Sequence, residues 1–478
     1  MKILLIQPNC AEEVNREFVS LQYPINLGYI ASTLRNEGYE VKMIDFNVMN
    51  RNLLSSIISQ FSPKVVGVTS MTSAIFNAKN IVSDIKKIAP KIKTILGGVH
   101  ASALPLETME EIKDLDYLVF GEGEETIKEL LKYLSNSNKN SIKIETIKGI
   151  VFRKNNKIIK NKPRELIENI DSIPYPSRDL LPLTLYSKQH VSRGFSRKDM
   201  SIIEILTSRG CPNNCIFCAG HINYGYRVRF RSYENIIGEI LECIEKYNIN
   251  HISIEDDTFT LNKELVKKLC FFFKDKKLTW NCNARVNTVD YNLLKIMKES
   301  GCKKIAFGIE SGNEEMLKKI KKGITIQQTI SAVRNAKRAG IRYVECDFII
   351  GSHIDETYET VKDSIKLIYR LMPDFLAISV MCPYPGTEIY NLMLSNNFMN
   401  KNPDWSQFSH FGELNRYDRL KYLNSRQMIK IQNRIMKDYY SSSKYIFNQL
   451  KQIKRLNEIK YFIRMGVLFL EEFVINKK

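Results

Sequence analysis

Short apolar runs alternate with amphipathic stretches through residues 1–136. The runs have strand length, and the stretches between them repeat apolar residues at helical spacing. The predicted strands are Lys2–Pro8, Glu40–Asp45, Val65–Ser70, Lys93–Gly97 and Tyr117–Phe120, and the predicted helices are Pro24–Glu37, Leu53–Phe61, Ala74–Ile88, Leu106–Ile112 and Glu124–Leu134. Such alternation predicts a doubly wound, Rossmann-like parallel sheet with a ligand site at the carboxyl ends of its strands.

The alternation stops at residue 137 and returns near residue 196. Residues 137–195 are polar and then proline-rich, which predicts a linker that contains a hairpin. Beyond them, strands are predicted at 202–207, 250–255, 277–283, 303–309, 341–349 and 375–381, with helices near 233–247, 262–273, 291–300, 326–339 and 356–370. Six strands are too few for a closed eight-fold barrel. Residues 196–395 are therefore predicted to form a partial (β/α)6 TIM-like barrel with catalytic groups in the loops after its strands.

The last part of the chain, residues 396–478, is predicted to be a helical C-terminal region. Asn400–Phe411 is predicted to be a loop anchored by Trp405, and residues 425–475 are predicted to be helical. Aromatic and basic residues interleave along these helices. A cap that packs on the barrel is the favoured interpretation. The same pattern also suits a lid over an apolar substrate or a helix that lies on a membrane surface.

Lysine and arginine exceed the acidic residues by 71 − 52 = 19. The basic residues are spread over predicted helix faces, as at Lys86-Lys87 and Lys318 to Lys322, and no RNA-binding signature accompanies them. We therefore expect no nucleic-acid partner. No apolar run has the length of a membrane span, and the first residues are too short for a signal-peptide core. We therefore expect a cytoplasmic protein.

The chain has ten cysteines. Seven stand singly in apolar or amphipathic stretches, where we expect small buried side chains: Cys10, Cys243, Cys270, Cys282, Cys302, Cys346 and Cys382. The other three, Cys211, Cys215 and Cys218, lie within eight residues directly after a predicted strand. Such a loop can present three thiolates to an iron–sulfur cluster, and a [4Fe-4S] cube would keep one iron open to a further ligand. A structural zinc ion with His221 as fourth ligand stays an alternative.

The CX3CX2C loop after the first barrel strand resembles the radical S-adenosylmethionine (radical SAM) superfamily, and Phe217 before the third cysteine is similar to its aromatic position. The resemblance implies an oxygen-sensitive [4Fe-4S] cluster whose open iron binds the amino and carboxylate groups of SAM. An electron from the cluster then breaks a sulfur–carbon bond of SAM and yields a 5′-deoxyadenosyl radical.

Later strand ends are similar to the SAM-binding segments of that superfamily. The implied SAM-binding residues are Phe217, Glu255, Asp256, Arg285, Glu310, Ser311 and Gly351. The usual Gly-Gly-Glu of the second strand is missing, so the acidic pair Glu255-Asp256 would have to serve there. Arg285 suits the methionine carboxylate because its guanidinium is planar. Glu310 and Ser311 resemble residues that bind the ribose hydroxyls, and Gly351 resembles part of the adenine side.

A doubly wound domain in front of such a barrel resembles the cobalamin-binding radical SAM subfamily, over residues 1 to about 395. The implied cobalamin-binding residues are Asn9, Ser70, Thr72, Gly97, Gly98, Gly121, Glu122 and Gly123. Other cobalamin domains carry Asp-X-His-X-X-Gly after the first strand, but this chain has Asn9-Cys10-Ala11-Glu12-Glu13 there. His100 is a possible cobalt ligand, with a structural histidine as the favoured interpretation. A degenerate domain that binds nothing is the remaining alternative.

The resemblance implies a C-methyltransferase that acts on an unactivated carbon of a small-molecule or lipid-like substrate. It also implies an external electron donor of flavodoxin or ferredoxin type. An oxidative cyclase or rearrangement enzyme on the same scaffold is the second hypothesis. A tRNA methylthiotransferase is disfavoured because the N-terminal domain holds only Cys10. A non-catalytic cobalamin or redox sensor would not need Glu255, Arg285 and Glu310 at strand ends.

Overall fold

The computed structural model describes residues 1–9, 21–135, 143–188, 201–408, 417 and 419–452. Its first part is a seven-stranded sheet in the order β2-β1-β3-β4-β5-β6-β7, of which the first five strands are parallel. The strands are β1 Lys2–Gln7, β2 Glu40–Asp45, β3 Val65–Thr69, β4 Lys93–Gly97, β5 Tyr117–Val119, β6 Ile150–Lys154 and β7 Lys157–Lys160. The helices are α1 Ile25–Asn36, α2 Leu54–Phe61, α3 Ile75–Ile88, α4 Val99–Ala103, α5 Pro105–Glu111 and α6 Glu124–Ser135. The predicted doubly wound domain is confirmed.

The strand order of this sheet reverses at β1, which pairs with β2 on one side and β3 on the other. Ile3 to Ile6 of β1 are buried because helices cover both faces of the sheet. A reversal of this kind opens a crevice at the carboxyl ends of the strands. The predicted cobalamin residues follow β1, β3, β4 and β5, and so lie along that edge.

The predicted hairpin extends this first sheet as an antiparallel edge. Strand β6 pairs with β5 and then with β7. Asn155 and Asn156 connect β6 to β7 with φ of 49° and 61°. Two residues with positive φ match the right-handed twist of a two-residue hairpin, and asparagine tolerates that conformation.

The second part is a six-stranded parallel sheet in the order β15-β14-β13-β12-β11-β8, as expected for a partial barrel. Its strands, with the short ribbon β9–β10, are β8 Ile202–Ile205, β9 Ser208–Arg209, β10 Arg229–Phe230, β11 His251–Ile254, β12 Thr279–Ala284, β13 Cys302–Glu310, β14 Tyr343–Ile350 and β15 Phe375–Val380. The helices from the connector onward are α7 Thr184–Lys188, α8 His221–Tyr224, α9 Tyr233–Tyr247, α10 Lys263–Asp275, α11 Tyr291–Glu299, α12 Glu314–Lys319, α13 Ile326–Ala339, α14 Tyr358–Leu371, α15 Glu388–Ser395, α16 Ser425–Tyr440 and α17 Ser443–Gln452.

Helix α16 covers the open edge strand β15. The Tyr440 hydroxyl accepts a hydrogen bond from the Leu376 amide at 2.8 Å and donates one to the Leu376 carbonyl at 3.1 Å. The Gln432 side chain donates to the Ile378 carbonyl at 2.6 Å. Edge strands expose unpaired backbone groups, so these side chains protect the barrel edge from pairing with another chain. For residues 425–452, the predicted helical cap is confirmed; residues 453–475 lie outside the described part of the chain.

None of the helices in the described part of the chain is both long and apolar enough to cross a bilayer. Trp405 is 7% exposed, which confirms it as an anchor of the segment after the barrel. Six of the seven single cysteines are buried as predicted, and Cys10 lies outside the described residues.

Candidate functional site

The three clustered cysteines lie on a loop that a two-stranded ribbon closes at its base. Strands β9 and β10 pair antiparallel, with Arg209 opposite Arg229. Gly210 follows with φ of 90°, and a Cβ atom there would meet the Arg227 carbonyl oxygen at 2.4 Å. Only glycine accommodates that close approach of the two ends of the loop. The ribbon thus fixes the position of Cys211, the first of the three cysteines.

Each cysteine sulfur has a nitrogen donor near it. The Gly220 amide donates to Cys218 Sγ at 3.4 Å, the Asn213 side chain to Cys211 Sγ at 3.3 Å, and Arg285 Nη1 lies 3.9 Å from Cys215 Sγ. Donors of this kind stabilise negative charge on ligating sulfurs and tune cluster potential. The three sulfurs therefore have the surroundings that cluster thiolates require.

Burial raises the pKa of the Cys218 thiol to about 11. A positively charged iron centre at this sulfur would stabilise the thiolate form. Three cysteine side chains on one loop are the donor set of an iron–sulfur cube, in which each thiolate would bind its own iron.

His221, the candidate fourth ligand of a zinc site, makes other contacts. Its Nδ1 lies 3.0 Å from the Cys218 carbonyl oxygen, and its ring stacks on Tyr226 with a centroid distance of 4.8 Å. These contacts orient helix α8 behind the cysteine loop, which supports a structural role for the ring.

Several predicted SAM residues gather beside the cysteines, at the ends of β12 and β13. Arg285 lies 3.9 Å from Cys215 Sγ through Nη1, and its Nη2 donates to the Lys322 carbonyl. The Lys322 ammonium donates to Glu310 Oε1 at 2.8 Å and lies 5.9 Å from the centre of the Phe217 ring. The structure therefore brings these residues to one place next to the loop of Cys211, Cys215 and Cys218, here called the cluster loop.

Lys322 is the residue of this group that the sequence did not identify. It was expected among the solvated lysines of a helix face, and that expectation is wrong because Lys322 is 6% exposed. It follows the end of α12, where a Glu310–Lys322 ion pair neutralises both buried charges. Glu310 has φ of 70°, an unusual backbone conformation for a residue other than glycine, at the point where its strand ends.

The acidic pair after β11 divides into two roles. Asp256 is buried and accepts hydrogen bonds from the Thr207 amide, the Thr207 hydroxyl and the Ser208 hydroxyl, each at 2.6 Å. It thus ties the end of β11 to the end of β8. Glu255 accepts a hydrogen bond from Ser253 at 2.5 Å.

Asp257, which the sequence analysis did not single out, lies beside the cluster loop. A Cβ atom added to Gly220 would meet the Asp257 carboxylate at 3.4 Å and Cys218 Sγ at 3.5 Å. Burial raises the pKa of Asp257.

The remaining predicted SAM residues lie at the ends of β13 and β14. Ser311 is fully buried, and its hydroxyl accepts a hydrogen bond from the Asn313 amide at 3.2 Å. Gly351 has φ of 77°, and a Cβ atom there would meet Met428 Sδ of α16 at 2.6 Å. Glu356 accepts from the Gly351 and Ser352 amides, and burial raises its pKa to about 7. This carboxyl shapes the turn that carries Gly351.

Most of the predicted cobalamin residues form an edge of small or polar side chains along the first sheet, here called the small-residue edge: Asn9, Ser70, Thr72, Gly97, Gly98 and Gly121. Ser70 and Thr72 are buried after β3, and Gly97 ends β4. Around Gly121, with φ of 78°, a Cβ atom would have no neighbour within 4 Å. The buried Oδ1 of Asn9 has no hydrogen-bond partner among the described residues. Small side chains, open space and an unpartnered acceptor suit a large planar ligand with polar substituents.

Gly98 is the most constrained position on this edge. Its φ is 100°, and a Cβ atom there would meet the Ser70 carbonyl oxygen at 2.5 Å and the Ser70 nitrogen at 2.7 Å. Both atoms belong to the backbone and cannot rotate away. The loop after β3 and the loop after β4 therefore touch through their main chains, which requires glycine at this position.

His100 is buried between the two parts of the molecule. Its Nδ1 lies 3.3 Å from the Thr72 hydroxyl, and its ring packs edge-on against Trp405 with a centroid distance of 5.1 Å. Burial lowers the pKa of His100 to about 4, so the ring is neutral at physiological pH. These contacts support the structural interpretation of His100.

Glu122 points away from the small-residue edge and towards the barrel. Its carboxylate pairs with Arg209 at 2.9 Å and with Arg229 at 2.7 Å, and it accepts from the Ile167 amide at 2.7 Å. Gly123 lies under α1, where an added Cβ atom would meet Ile30 at 3.1 Å. Both residues occupy the loop between β5 and α6.

The cluster loop and the small-residue edge meet at the boundary of the two sheets. Helix α8, which follows the cysteines, packs against α4, which follows Gly98. A Cβ atom at Gly386 would meet Ile222 of α8 at 2.9 Å and Ala103 of α4 at 3.3 Å. The two predicted cofactor sites are thus neighbours.

Replacing Gly98 by alanine is expected to weaken cobalamin binding while iron content is retained, because the new Cβ must push Ser70 and its loop out of place. Equilibrium dialysis against hydroxocobalamin and iron analysis measure the two effects. Gly38→Ala is the matched control, since Gly38 has φ of 80° but no neighbour within 4 Å of an added Cβ. Equal cobalamin affinity in both variants would contradict the assignment of this edge.

Two family models match the chain. The model for the B12 binding domain covers residues 14–131, and the model for the Radical SAM superfamily covers residues 205–368. These ranges contain the first sheet's parallel strands from β2 to β5 and most of the partial barrel.

Relatives extend beyond the two domains. The chain is 35% identical over 454 residues to the "Uncharacterized methyltransferase PH0819" of Pyrococcus horikoshii, covering 94% of this chain and 95% of the relative. It is 25% identical over 399 residues to the anaerobic magnesium-protoporphyrin IX monomethyl ester cyclase of Cereibacter sphaeroides, covering 82% of this chain and 63% of the relative. The solved structure of the cobalamin-dependent S-adenosylmethionine radical enzyme OxsB shares the fold with a TM-score of 0.73 at 20% identity, covering 98% of this chain and 71% of that chain.

Proposed function

Because the chain belongs to the radical SAM superfamily, in the group that carries a B12-binding domain ahead of the barrel, we propose that it is a C-methyltransferase that acts on an unactivated carbon of a biosynthetic intermediate. The cofactors that go with these two domains are a [4Fe-4S] cluster, SAM and cobalamin. The observation that carries the proposal is the contact between α4 and α8, which puts the small-residue edge beside the cysteine loop.

When bound, the cluster and SAM supply a carbon-centred radical that removes a substrate hydrogen, and cobalamin supplies the methyl group. Atoms and electrons balance for one substrate C–H bond, two SAM molecules and two electrons. The products are the methylated substrate, 5′-deoxyadenosine, methionine and S-adenosylhomocysteine. The electrons require an external donor, for which we propose a flavodoxin or ferredoxin in the cytoplasm.

The protein's own part is to bind and orient these groups. We propose that Cys211, Cys215 and Cys218 hold the cluster, and that Arg285 pairs with the carboxylate of SAM beside them. The buried Lys322–Glu310 ion pair carries no net charge. We propose that it fixes the end of β13, which would face the ribose of SAM. The burial of these groups also excludes water, which would compete for the open iron.

The proposal is tested with SAM that carries a CD3 group. Anaerobic enzyme is reconstituted with iron, sulfide and hydroxocobalamin and reduced with titanium(III) citrate. We expect 5′-deoxyadenosine, S-adenosylhomocysteine and CD3-labelled methylcobalamin. With a pool of small molecules extracted from cells, one component should gain CD3 in place of hydrogen. Formation of 5′-deoxyadenosine without S-adenosylhomocysteine or labelled methylcobalamin would contradict methyl transfer.

An oxidative cyclase is the second candidate, supported by the similarity to the magnesium-protoporphyrin cyclase. Such an enzyme would consume SAM to 5′-deoxyadenosine and would not transfer the CD3 label. Product mass therefore separates the two candidates in the same experiment, because methyl transfer replaces one hydrogen by CD3 and ring closure adds no carbon or label.

We also propose a small-molecule or lipid-like substrate and peripheral membrane contact through the tail. Helix α17 supports the membrane contact, because Ile446, Phe447 and Leu450 are exposed on this helix and its sequence contains lysine but no acidic residue. An exposed apolar face with basic neighbours suits an anionic lipid surface. Co-sedimentation with phosphatidylglycerol vesicles that Phe447→Asp abolishes would support the contact, and equal binding of both proteins would contradict it.

A further inference from the structure

Four buried charges join the B12-binding domain to the base of the cluster loop. Glu122 lies in the loop between β5 and α6, Glu124 is the first residue of α6, and Arg209 and Arg229 come from the β9–β10 ribbon. Arg209 Nη1 lies 2.9 Å from Glu122 and its Nη2 lies 2.6 Å from Glu124, while Arg229 Nη1 lies 2.7 Å from Glu122. The side chains are 2–7% exposed. We call these four residues the interdomain clasp.

The clasp is electrically neutral and geometrically specific. Two carboxylates face two guanidiniums, so no net charge is buried, and Arg209 uses both ends of its fork on two different partners. The Arg209 guanidinium lies between the rings of Tyr29 and Tyr224, at 5.3 and 5.1 Å from their centres. Tyr29 belongs to the B12-binding domain and Tyr224 to the barrel side. The arginine is thus held in one orientation by both domains.

The clasp is close in sequence to the reacting centre. Arg209 precedes Cys211 by two residues, and Arg229 lies opposite Arg209 in the ribbon that closes the cluster loop. On the other domain, Glu122 follows Gly121 of the small-residue edge. A shift of the clasp would therefore move the cluster loop relative to that edge. Buried ion pairs are often no more stabilising than apolar contacts of the same volume, so a gain in stability alone does not account for the clasp, and its geometry points to a role in positioning.

We propose that Glu122, Glu124, Arg209 and Arg229 are positioning residues that set the distance between the cluster and cobalamin. This inference rests on the proposed function, because methyl transfer from SAM to cobalamin requires both groups in one fixed geometry. It also assigns the two glutamates of the Gly-Glu-Gly-Glu segment to domain alignment and away from direct cobalamin contact.

The first test is Glu124→Gln, the mildest disruption, because it keeps an oxygen acceptor for Arg209 and removes one charge. Holoenzyme that contains cob(II)alamin and the reduced cluster is studied by pulsed electron paramagnetic resonance, which measures the coupling between the two spins. Wild type should give one narrow distance, and the variant a broader or displaced distribution. Glu125→Gln is the control, since Glu125 is the next residue on α6 and is 45% exposed in a surface pair with Lys128.

The second readout is the ratio of the two SAM products, S-adenosylhomocysteine from methyl transfer and 5′-deoxyadenosine from radical cleavage. In the variant, S-adenosylhomocysteine and methylcobalamin formation should fall at least about tenfold, since a 1 Å misplacement of reacting groups can cost roughly a hundredfold. Formation of 5′-deoxyadenosine should stay within about twofold of wild type, because none of the four clasp residues is among those assigned to SAM. Arg209→Lys, which keeps the charge but loses the fork, should give an intermediate partition and replaces Glu124→Gln if that protein does not fold.

Unchanged distance distributions in Glu124→Gln and Arg209→Lys would overturn the clasp as a positioning device. A parallel loss of both SAM products with an unchanged distance would also overturn it. Wild type that shows the narrow distance but makes no S-adenosylhomocysteine would instead contradict the proposed methyl transfer, and the clasp would then be judged on the distance alone.

Discussion

Alanine at Cys211, Cys215 and Cys218 together is expected to reduce bound iron and 5′-deoxyadenosine formation to background. Thiolates are the protein ligands of iron–sulfur clusters, and the described residues near the loop offer no replacement for three of them. The small-residue edge belongs to the first sheet and contains none of these cysteines, so cobalamin binding should persist. Iron and sulfide analysis, visible absorption and chromatography of the reaction products measure the three effects.

Cys243→Ala is the control for that experiment. Cys243 is 2% exposed on α9 and, like the loop cysteines, is a free thiol in the structure. It should keep full iron content and full 5′-deoxyadenosine formation. Retention of iron and turnover in the triple variant would refute the assignment of the cluster to this loop.

Glu239→Gln is expected to destabilise the protein by about 3–5 kcal/mol, the usual consequence of breaking a buried ion pair by removing one partner. Glu239 is 1% exposed on α9 and forms ion pairs with Arg178 at 2.6 Å and with Arg231 at 2.5 Å. Arg178 also donates to the Glu204 carbonyl at 2.6 Å, which ties the connector to β8. The variant leaves two buried guanidiniums short of a counter-charge. The midpoint of urea unfolding under anaerobic conditions measures the loss.

The same carboxylate gives a pH dependence with a defined sign. Burial alone would raise the pKa of Glu239, but Arg178 and Arg231 outweigh burial and hold the pKa below its ordinary value. The stabilisation by Glu239 is therefore complete above the ordinary glutamate pKa of about 4.3 and is lost as pH falls through the lower folded-state pKa. The difference in stability between wild type and Glu239→Gln should shrink in acid.

Glu242→Gln provides the matched comparison on the same helix. Glu242 pairs with Lys246 at 2.8 Å, but its side chain is 42% exposed. Exposed pairs of this kind contribute roughly 0.3–0.5 kcal/mol. A loss of stability in Glu242→Gln as large as that in Glu239→Gln would show that burial of the Arg178–Glu239–Arg231 group is not the cause.

The sequence predicted both sheets because apolar periodicity reports directly on which strand faces are buried. The continuous apolar run of β1 and the strand–helix spacing after Ile202 were sufficient for a doubly wound domain and a partial barrel. Short helices escaped the pattern: α4, α8 and α12 have four to six residues. Such segments are too short to show a helical period, and tertiary contacts decide their conformation.

The site was predictable where its ligands are local in sequence and not where partners are distant. Three cysteines on one loop are visible in the sequence, and so are acids and arginines at strand ends. The partner of Glu122 is 87 residues away at Arg209, and no local pattern indicates that pairing. The burial of Lys322 could not be predicted for a related reason, since it depends on how the end of α12 packs against Glu310 and Phe217 in three dimensions.

A cluster with one iron open to SAM is the central feature of the proposed chemistry, and electron–nuclear double resonance tests it directly. Reduced, reconstituted enzyme is mixed with SAM that carries nitrogen-15 in its amino group, and hyperfine coupling between the cluster and that nitrogen is measured. We expect a coupling strong enough for direct nitrogen–iron coordination in wild type. A reduced cluster whose spectrum is unchanged by labelled SAM, in protein that still cleaves SAM, would contradict it.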